Sequence, residues 1–407
     1  MRMLKIKNIA VVLAILAVGY LSGYQSAKTQ NTVTAEKTGK LDLNMMWVVK
    51  DKLEQMYLDP KKIENKSMVY GAISGLVQSL GDPYTVYLPP ADNERSNEDL
   101  NGEFGGVGIS LGFKDRNLAV VAPMANSPAM RAGLKAGDLI LKIIDKENKV
   151  DRDTVGIGLE EAVNLIRGKI GTEVTLKMFR EGDVEPFEVK LIRDNIVVPS
   201  LELKWVGESE NVAWIQLNKF SERIFEEWPT MVEQINAKKN LGGMVLDLRN
   251  NPGGYLEASV VVASDLLEKG IVVKQADNKG EKVYEVDKSA GRLTKPKLTI
   301  LVNGGSASAS EILAGALKYY KRGKLVGEKT FGKGTVQQPQ DFSDGSGLHV
   351  TVAKWLLPDG KNIHGVGVDP DVVVKYEKPD VPDVKVQPEL SWKDDNQLIR
   401  AIEELAK

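Results

Sequence analysis

The stretch LTILVNGGSASASEILAGALKYYKRGKLVG, residues 298–327, decides the topology of the second half of the chain. An apolar run over 298–302 reads as a strand. Asn303-Gly304-Gly305 breaks it, and a helical pattern follows over 308–318. Lys321-Arg322-Gly323 ends that helix, and a short strand returns over 324–326. Strand, helix and strand in immediate succession form a βαβ unit, whose two strands lie parallel in one sheet. The same alternation extends backwards, with strands over 212–217 and 243–248 and helices over 221–237 and 256–269. It extends forwards to a strand over 348–357. The expectation is a largely parallel sheet with helices on its faces. A charged insertion, 275–297, reads as a surface hairpin.

Upstream the texture differs. From about Phe104 short alternating strands and glycine turns dominate, with strands near 106–111, 118–121, 138–144, 174–179 and 187–191. Two helices interrupt them: Ser127-Pro128-Ala129 opens one, and an amphipathic helix over 159–166 stops at Gly168. Before this β-rich module, residues 41–80 show helical spacing, broken at Asp59-Pro60 and ended at Gly81-Asp82-Pro83. The expected divisions are 1–27 membrane segment, 28–40 tether, 41–102 helical region, 103–193 β-rich module, 194–377 βαβ module and 378–407 tail with a short helix. The fold class is α+β and α/β multidomain.

Composition narrows the function. The 407 residues carry 54 Lys and Arg against 56 Asp and Glu, a net charge of −2, which argues against a nucleic-acid partner. There is no cysteine, so thiol chemistry and thiolate metal sites are excluded. The only histidines are His349 and His364, which leaves little for a histidine metal centre or a Ser-His-Asp triad. Arg2, Lys5 and Lys7 precede an uncharged stretch of 20 residues, 8–27. That pattern predicts export, with the basic flank left inside. The one small-x-small site lies within the run, which favours an uncleaved anchor over a cleaved signal.

Two segments carry chemistry. Asn303 to Glu311 places serines at a strand-to-helix turn, where Ser308 is well sited as a nucleophile and the amide of Ala309 lies at the positive end of a helix. Ser308-x-x-Glu311 is equally a capping box, which needs no function. The second segment, Gly327 to Thr335, sets Lys333 between two glycines. Close packing there desolvates the amine and lowers its pKa, and a neutral lysine can activate a serine. Lys329 is the competing base. Gly327-x4-Gly332-Lys333 approaches a phosphate-binding loop, but Gly334 stands where Ser or Thr must hold magnesium, and no helix follows.

The sequence resembles the carboxyl-terminal processing proteases, also called tail-specific proteases, over about residues 41–375. The resemblance rests on separated motifs in order: Gly81-Asp82-Pro83-Tyr84-Thr85, Gly106-Val107-Gly108-Ile109, Ser127-Pro128-Ala129 with Ala132-Gly133-Leu134, Asp247 through Gly254, Gly305 through Glu311, and Gly327 through Thr335. It implies a PDZ domain joined to a crotonase- or ClpP-like βαβ serine protease core with N-terminal helices. It implies that Ser308, rather than Ser306 or Ser310, is the nucleophile, that Lys333 is the general base and that Gln337 orients the lysine. Ala309 and Gly254 match the oxyanion amides. Gly106, Val107, Gly108 and Ile109 match the carboxylate-binding loop of the PDZ domain, beside which a peptide adds as a strand. Arg167 matches a position that can couple PDZ docking to the protease, and is equally readable as a solvated helix-end arginine. Residues 145–157 depart from the pattern in being longer and more charged.

The expected activity is therefore serine endopeptidase action with a Ser-Lys dyad on exported proteins near their C-termini. The PDZ domain would recognise unstructured apolar C-terminal tails, and no metal or other cofactor is required. Expected partners are those tails, the cell membrane through the N-terminal segment, and a second copy of the chain through the helical arms at 41–80 and 391–406. Two other readings stand beside it: a non-catalytic PDZ adaptor on a protease-like scaffold, and an acyl-CoA enzyme of crotonase type.

Overall fold

Strand Leu298–Val302 is buried at every residue, as a strand covered on both faces must be. Leu298, Ile300 and Val302 join one core cluster and Leu301 joins another, because successive side chains point to opposite faces. It is central to a six-stranded sheet in the order Leu201–Val206, Val212–Leu217, Gly243–Asp247, Leu298–Val302, Lys324–Gly327, Val372–Val373. The first pair is antiparallel and every other pair is parallel. Helices Ile224–Ala237, Leu256–Leu266 and Ala309–Tyr319 pack on one face, with Trp228 fully buried among them. Helix Asn396–Ala406 covers the other through Leu398, Ala401 and Leu405. The expected parallel sheet is present with one antiparallel edge. Its adjacent strands Gly243–Asp247 and Leu298–Val302 release their following loops side by side, where open parallel sheets bind ligands.

The computed structural model describes residues 41–124, 126–377 and 391–407. The expected membrane segment and tether, 1–40, and residues 378–390 of the tail lie outside them. Among the described residues no helix is long and apolar enough to cross a membrane. The chain divides into two compact units, 1–69 and 70–407. The described part of the first holds helix Asn44–Met56, a 3-10 turn at Pro60–Lys62 and the start of helix Asn65–Gln78. The second holds everything that follows.

A second, antiparallel sheet was not foreseen. Its order is Val86–Leu88, Gly347–Leu356, Ile271–Ala276, Glu281–Glu285, with Thr335–Asp341 also pairing to Gly347–Leu356. The expected hairpin in 275–297 is shorter and begins earlier, at Ile271, because its first strand continues this sheet. Helix Pro90–Asn101 was also missed. Its sequence PADNERSNEDLN carries no apolar stripe to announce it. Pro90 at its first turn and Gly102 at φ 77° after its end define it instead, and Asn93 pins it to Asp341 Oδ1 and the Gly345 carbonyl.

The β-rich module is a six-stranded antiparallel sheet, ordered Ile109–Lys114, Asn117–Pro123, Leu139–Asp145, Glu173–Phe179, Phe187–Ile192, with Val150–Asp153 paired to Leu139–Asp145. Leu118, Ile140, Ile143, Leu176 and Met178 are its fully buried core, closed by helix Leu159–Ile166. The long charged segment 145–157 is explained by strand Val150–Asp153, whose Asp151 pairs with Lys142 in solvent. The strand expected over 106–111 is broken. Glu103–Gly106 pairs instead with Asp194–Val197, and Gly108 at φ 70° turns the chain before Ile109 starts the next strand.

Arg193 and Asp145 form a 2.8 Å ion pair with both side chains 1% exposed. Arg193 also donates from Nε to the Ile166 carbonyl and from Nη1 to Thr172 Oγ1, so it ties the helix end to two strands. Arg193→Ala leaves Asp145 buried and unpaired and is expected to destabilise this module by about 3–5 kcal/mol. Arg152→Ala, which removes an exposed pair to Glu161, is expected to cost about 0–1 kcal/mol. Urea unfolding of the two variants, followed by near-ultraviolet circular dichroism, checks the contrast.

Candidate active site

The loop after strand Leu298–Val302 is stapled to the loop after Gly243–Asp247. Asn303 Oδ1 accepts from Asn250 N and Gly305 N, and Asn303 Nδ2 returns a bond to Asn250 Oδ1, all at 2.9 Å. Ser306 Oγ donates to the Leu248 carbonyl at 2.7 Å and Ser310 Oγ to the Asn251 carbonyl at 2.9 Å. Both flanking serines are fully buried in these structural bonds. Of the three alternating serines, Ser308 is the one that lines a cavity of about 740 Å³. Its backbone sits at φ 53°, ψ −116°. An ordinary N-cap residue adopts the β region, so this conformation is strained for a residue with a side chain and marks more than a cap.

Two neighbouring amides are free. Gly253 N–H donates to Asn251 Oδ1 and Tyr255 N–H to the Phe220 carbonyl. Neither Gly254 N–H nor Ala309 N–H hydrogen-bonds within the described residues. Glycine is required here for space. A Cβ on Gly253, at φ 102°, would stand 2.8 Å from Ser308 Cβ, and one on Gly254, at φ 137°, would stand 2.2 Å from the Phe220 carbonyl oxygen.

Lys333 lines the same cavity. Its backbone N–H donates to Glu311 Oε2 at 2.9 Å, and its carbonyl accepts from Trp355 Nε1 at 2.9 Å. A Cβ on Gly332 or Gly334 would lie 3.0 or 2.7 Å from neighbouring backbone or Asn362 atoms, so both flanks are packed close. Burial pushes the Lys333 ammonium below the usual lysine range, and the charge of Asp82 acts in the opposite direction. Its Nζ stands 5.2 Å over the Tyr84 ring. Burial raises the Asp82 carboxyl, but hydrogen bonds from Thr351, Thr85 and the Tyr84 amide outweigh it and hold it ionised below its ordinary value. Lys329 pairs with Asp369 at the surface and does not line the cavity.

Gln337 also lines the cavity, but its Nε2 is held by Thr335 Oγ1 at 3.0 Å and Thr351 Oγ1 at 3.2 Å. His349, on the facing strand, completes the wall with its pKa lowered by burial and by the charge of Lys333. The other histidine, His364, packs edge-on against Tyr84 at 5.9 Å. Neither histidine hydrogen-bonds to Ser308. In this state Ser308 and Lys333 share the cavity without a direct hydrogen bond between them.

Gly106, Val107, Gly108 and Ile109 lie away from this cavity, in the β-rich module. The Val107 carbonyl accepts from Ala129 N and the Gly108 carbonyl from Met124 N. Strand Ile109–Lys114 is the free edge of its sheet, paired only with Asn117–Pro123. Arg167 caps helix Leu159–Ile166 and lays its guanidinium 3.8 Å over Phe104. Its charge also acts on Glu98, whose carboxyl is raised by burial and accepts from Gly105 N. Glu98 belongs to helix Pro90–Asn101, whose Ser96, Asp99 and Leu100 line the cavity that holds Ser308 and Lys333.

Sequence reasoning treated Glu311 as half of a capping box and missed its larger role. The carboxylate is fully buried. Oε2 accepts from Ser308 N at 3.0 Å and Lys333 N at 2.9 Å; Oε1 accepts from Thr330 Oγ1 at 2.5 Å and Gly332 N at 2.7 Å. Asp82 and Tyr84 were noted as a motif without a place. Nothing local to 81–85 indicates that the segment is delivered to Lys333 by strand Val86–Leu88 pairing with Gly347–Leu356.

Comparison with known proteins places the domains in families. Residues 211–374 match the model of peptidase family S41, 105–191 that of the PDZ domain and 17–92 that of the activating protease CtpB N-terminal domain. A probable CtpA-like serine protease of Staphylococcus epidermidis is 36% identical over 92% of this chain and 75% of its own. One from Staphylococcus aureus is 40% identical over 84% of this chain and 66% of its own. In fold, the chain is similar to a putative S41 protease of Bacteroides fragilis, with a TM-score of 0.56 at 15% identity, covering 91% of this chain and 98% of that one.

Glu311→Gln keeps the size of the side chain but turns an amide NH2 toward two of the donors it replaces an acceptor for. The serine turn and the lysine loop then shift apart, and a displacement near 1 Å is worth on the order of 100-fold in rate. Labelling of Ser308 by a serine-reactive fluorophosphonate is expected to slow by about that factor. Unchanged labelling in a folded variant would show that the carboxylate positions nothing.

Proposed function

Because the chain belongs to the CtpA-like serine proteases of peptidase family S41 and carries their PDZ domain, we propose that its serine peptidase activity runs on a Ser308–Lys333 dyad. The observation that carries this reading is the joint suspension of Ser308 and Lys333 on one buried carboxylate, with the lysine desolvated. Neutral Lys333 Nζ takes the proton of Ser308 Oγ as that oxygen attacks the substrate carbonyl carbon. The carbonyl π pair becomes an oxyanion, received by the free N–H groups of Ala309 and Gly254. Collapse breaks the C–N bond, and Lys333 gives its proton to the leaving amine. Water, deprotonated by the same lysine, then attacks the acyl carbon; the C–O bond to Ser308 breaks and the lysine returns the proton to Ser308 Oγ. Gln337, held through Nε2 by two threonines, keeps Oε1 available to accept from Lys333 and fix its direction.

The PDZ domain captures apolar C-terminal tails. The support is its free edge strand, Ile109–Lys114, with the turn at Gly106 to Ile109 at the strand's start and the amphipathic helix Leu159–Ile166 against it. A tail added there continues the sheet and delivers its carboxylate to the turn. Arg167 couples the domain to the core through Phe104 and through Glu98, on the helix that walls the cavity. The enzyme acts outside the cytoplasmic membrane, held by residues 8–27, and pairs with a second copy through the helical arms; the support is the basic-apolar pattern of the N-terminus and the amphipathic spacing of 41–80 and 391–406.

The experiment uses an unfolded protein with an apolar C-terminus, followed by mass spectrometry. Cleavage is expected from the wild type and to be lost in Ser308→Ala and Lys333→Ala. Cleavage that survives Lys333→Ala would overturn the dyad. A substrate whose tail ends in charged residues is expected to be cut more slowly, and equal rates would remove tail recognition.

Two further outcomes follow from the electrostatics and the packing. Activity needs neutral Lys333, so it rises with pH through the lysine's lowered pKa. Asp82 favours the charged lysine, so Asp82→Asn lowers that pKa further and is expected to move the rising limb to lower pH, as read from kcat/KM profiles. Gly254→Ala displaces one oxyanion donor and is expected to cost about 100–1000-fold in kcat, with KM little changed.

A further inference from the structure

At the opposite end of the parallel sheet from Ser308, a cavity of about 690 Å³ opens where strands Leu298–Val302 and Lys324–Gly327 begin. Seven basic and two acidic side chains line it, in a chain whose net charge is −2. The carboxylates are already satisfied. Glu404 is bound by Lys324 and Lys407, each at 2.6 Å, and Asp371 by Lys318 at 3.3 Å. Four cations remain without a carboxylate among the described residues: Lys295, Lys297, Lys321 and Arg322. The Lys297 ammonium donates only to the Leu405 carbonyl, and the ammonium groups of Lys295 and Lys321 make no hydrogen bond among the described residues.

Arg322 is the fixed member. Its Nε donates to the Leu266 carbonyl and its Nη2 to the carbonyls of Leu293 and Pro296, so three neutral acceptors aim the guanidinium and none neutralises it. Nη1 is left without a partner. Burial alone lowers its pKa, as expected for a cation that lacks a counter-charge. The end of helix Ala309–Tyr319 contributes at most about half a negative charge here, against four whole positive ones.

We propose that this cavity is an anion site for a phosphate group carrying more than one negative charge, either on a phospholipid headgroup or free in solution. A rigid guanidinium supplies a directional donor, and three flexible ammonium groups close around the remaining oxygens. The site lies on the far side of the sheet from the catalytic loops, so a ligand bound there leaves the catalytic cavity open. This inference is independent of the catalytic reading above.

The test uses the full chain in neutral detergent and inorganic tripolyphosphate, by isothermal titration at 50 mM and 200 mM salt. Lys295→Ala with Lys321→Ala removes two exposed charges that hold no structural contact, so the variant keeps its fold. Each charge is worth about fivefold near an anionic group, so the pair is expected to weaken binding about 25-fold. Peptide cleavage by the variant is expected to match the wild type. No binding at the lower salt, or equal binding by the double variant, overturns the proposal. Phosphatidic acid, a phosphomonoester lipid, that displaces tripolyphosphate when mixed into the detergent micelles, where phosphatidylcholine does not, assigns the headgroup as the source. Failure of both to displace it assigns the free anion.

Discussion

The carboxylate of Glu311 takes hydrogen bonds from two segments, which are also joined by one backbone bond from Phe331 N–H to the Ser306 carbonyl at 3.0 Å. Ser308 N–H belongs to the turn before helix Ala309–Tyr319; Gly332 N–H, Lys333 N–H and the Thr330 hydroxyl belong to the loop after strand Lys324–Gly327. A buried carboxylate with no cation beside it is stable only when its oxygens are filled by donors. The need for four donors at once fixes where the two loops must lie. The strained backbone of Ser308 is then held by its surroundings, as sparsely populated conformations must be. The glycines on either side of Lys333 and at 253 and 254 are further terms of the same constraint, because each removes a side chain from a place where backbone must pass.

A second network performs the corresponding task for the loop 250–254. Arg249 leads into residues 250–254 and uses its guanidinium twice, toward Asp247 and toward Asp395 and Gln397 of the C-terminal segment. The loop that offers Gly254 N–H is therefore braced from the C-terminal helix, and the turn that offers Ala309 N–H from the glycine-rich loop. The two amides are set by separate parts of the chain.

Much of this was legible in the sequence because it is local. Residues 298–327 announce strand, turn, helix and strand by period alone, and each is where the period places it. Ser308, Ala309 and Lys333 sit in short glycine- and serine-rich turns whose composition is itself the signal, whereas Gly254 was indicated only by the family resemblance. What was not legible depends on pairing at long range. The antiparallel sheet joins residues 86–88, 271–285 and 335–356, and no single window contains it. Helix Pro90–Asn101 hides because it is held by capping and by Asn93 rather than by an apolar face. Asp82 and Thr351 are far apart in sequence and are brought together beside Thr85, whose Oγ1 accepts from Thr351 N–H at 3.0 Å.

The ribbon formed by Glu103–Gly106 and Asp194–Val197 carries both passages of the chain between the PDZ domain and the rest. Entry and exit are thus neighbours, zipped by backbone bonds that depend little on side-chain identity. A domain attached in this way is a graft on a stalk. It can be exchanged for another, or lost, without rerouting a strand of the core, since closing the stalk on itself joins two ends that already touch. Change within this domain is thereby uncoupled from the packing of the sheet that carries Ser308 and Lys333.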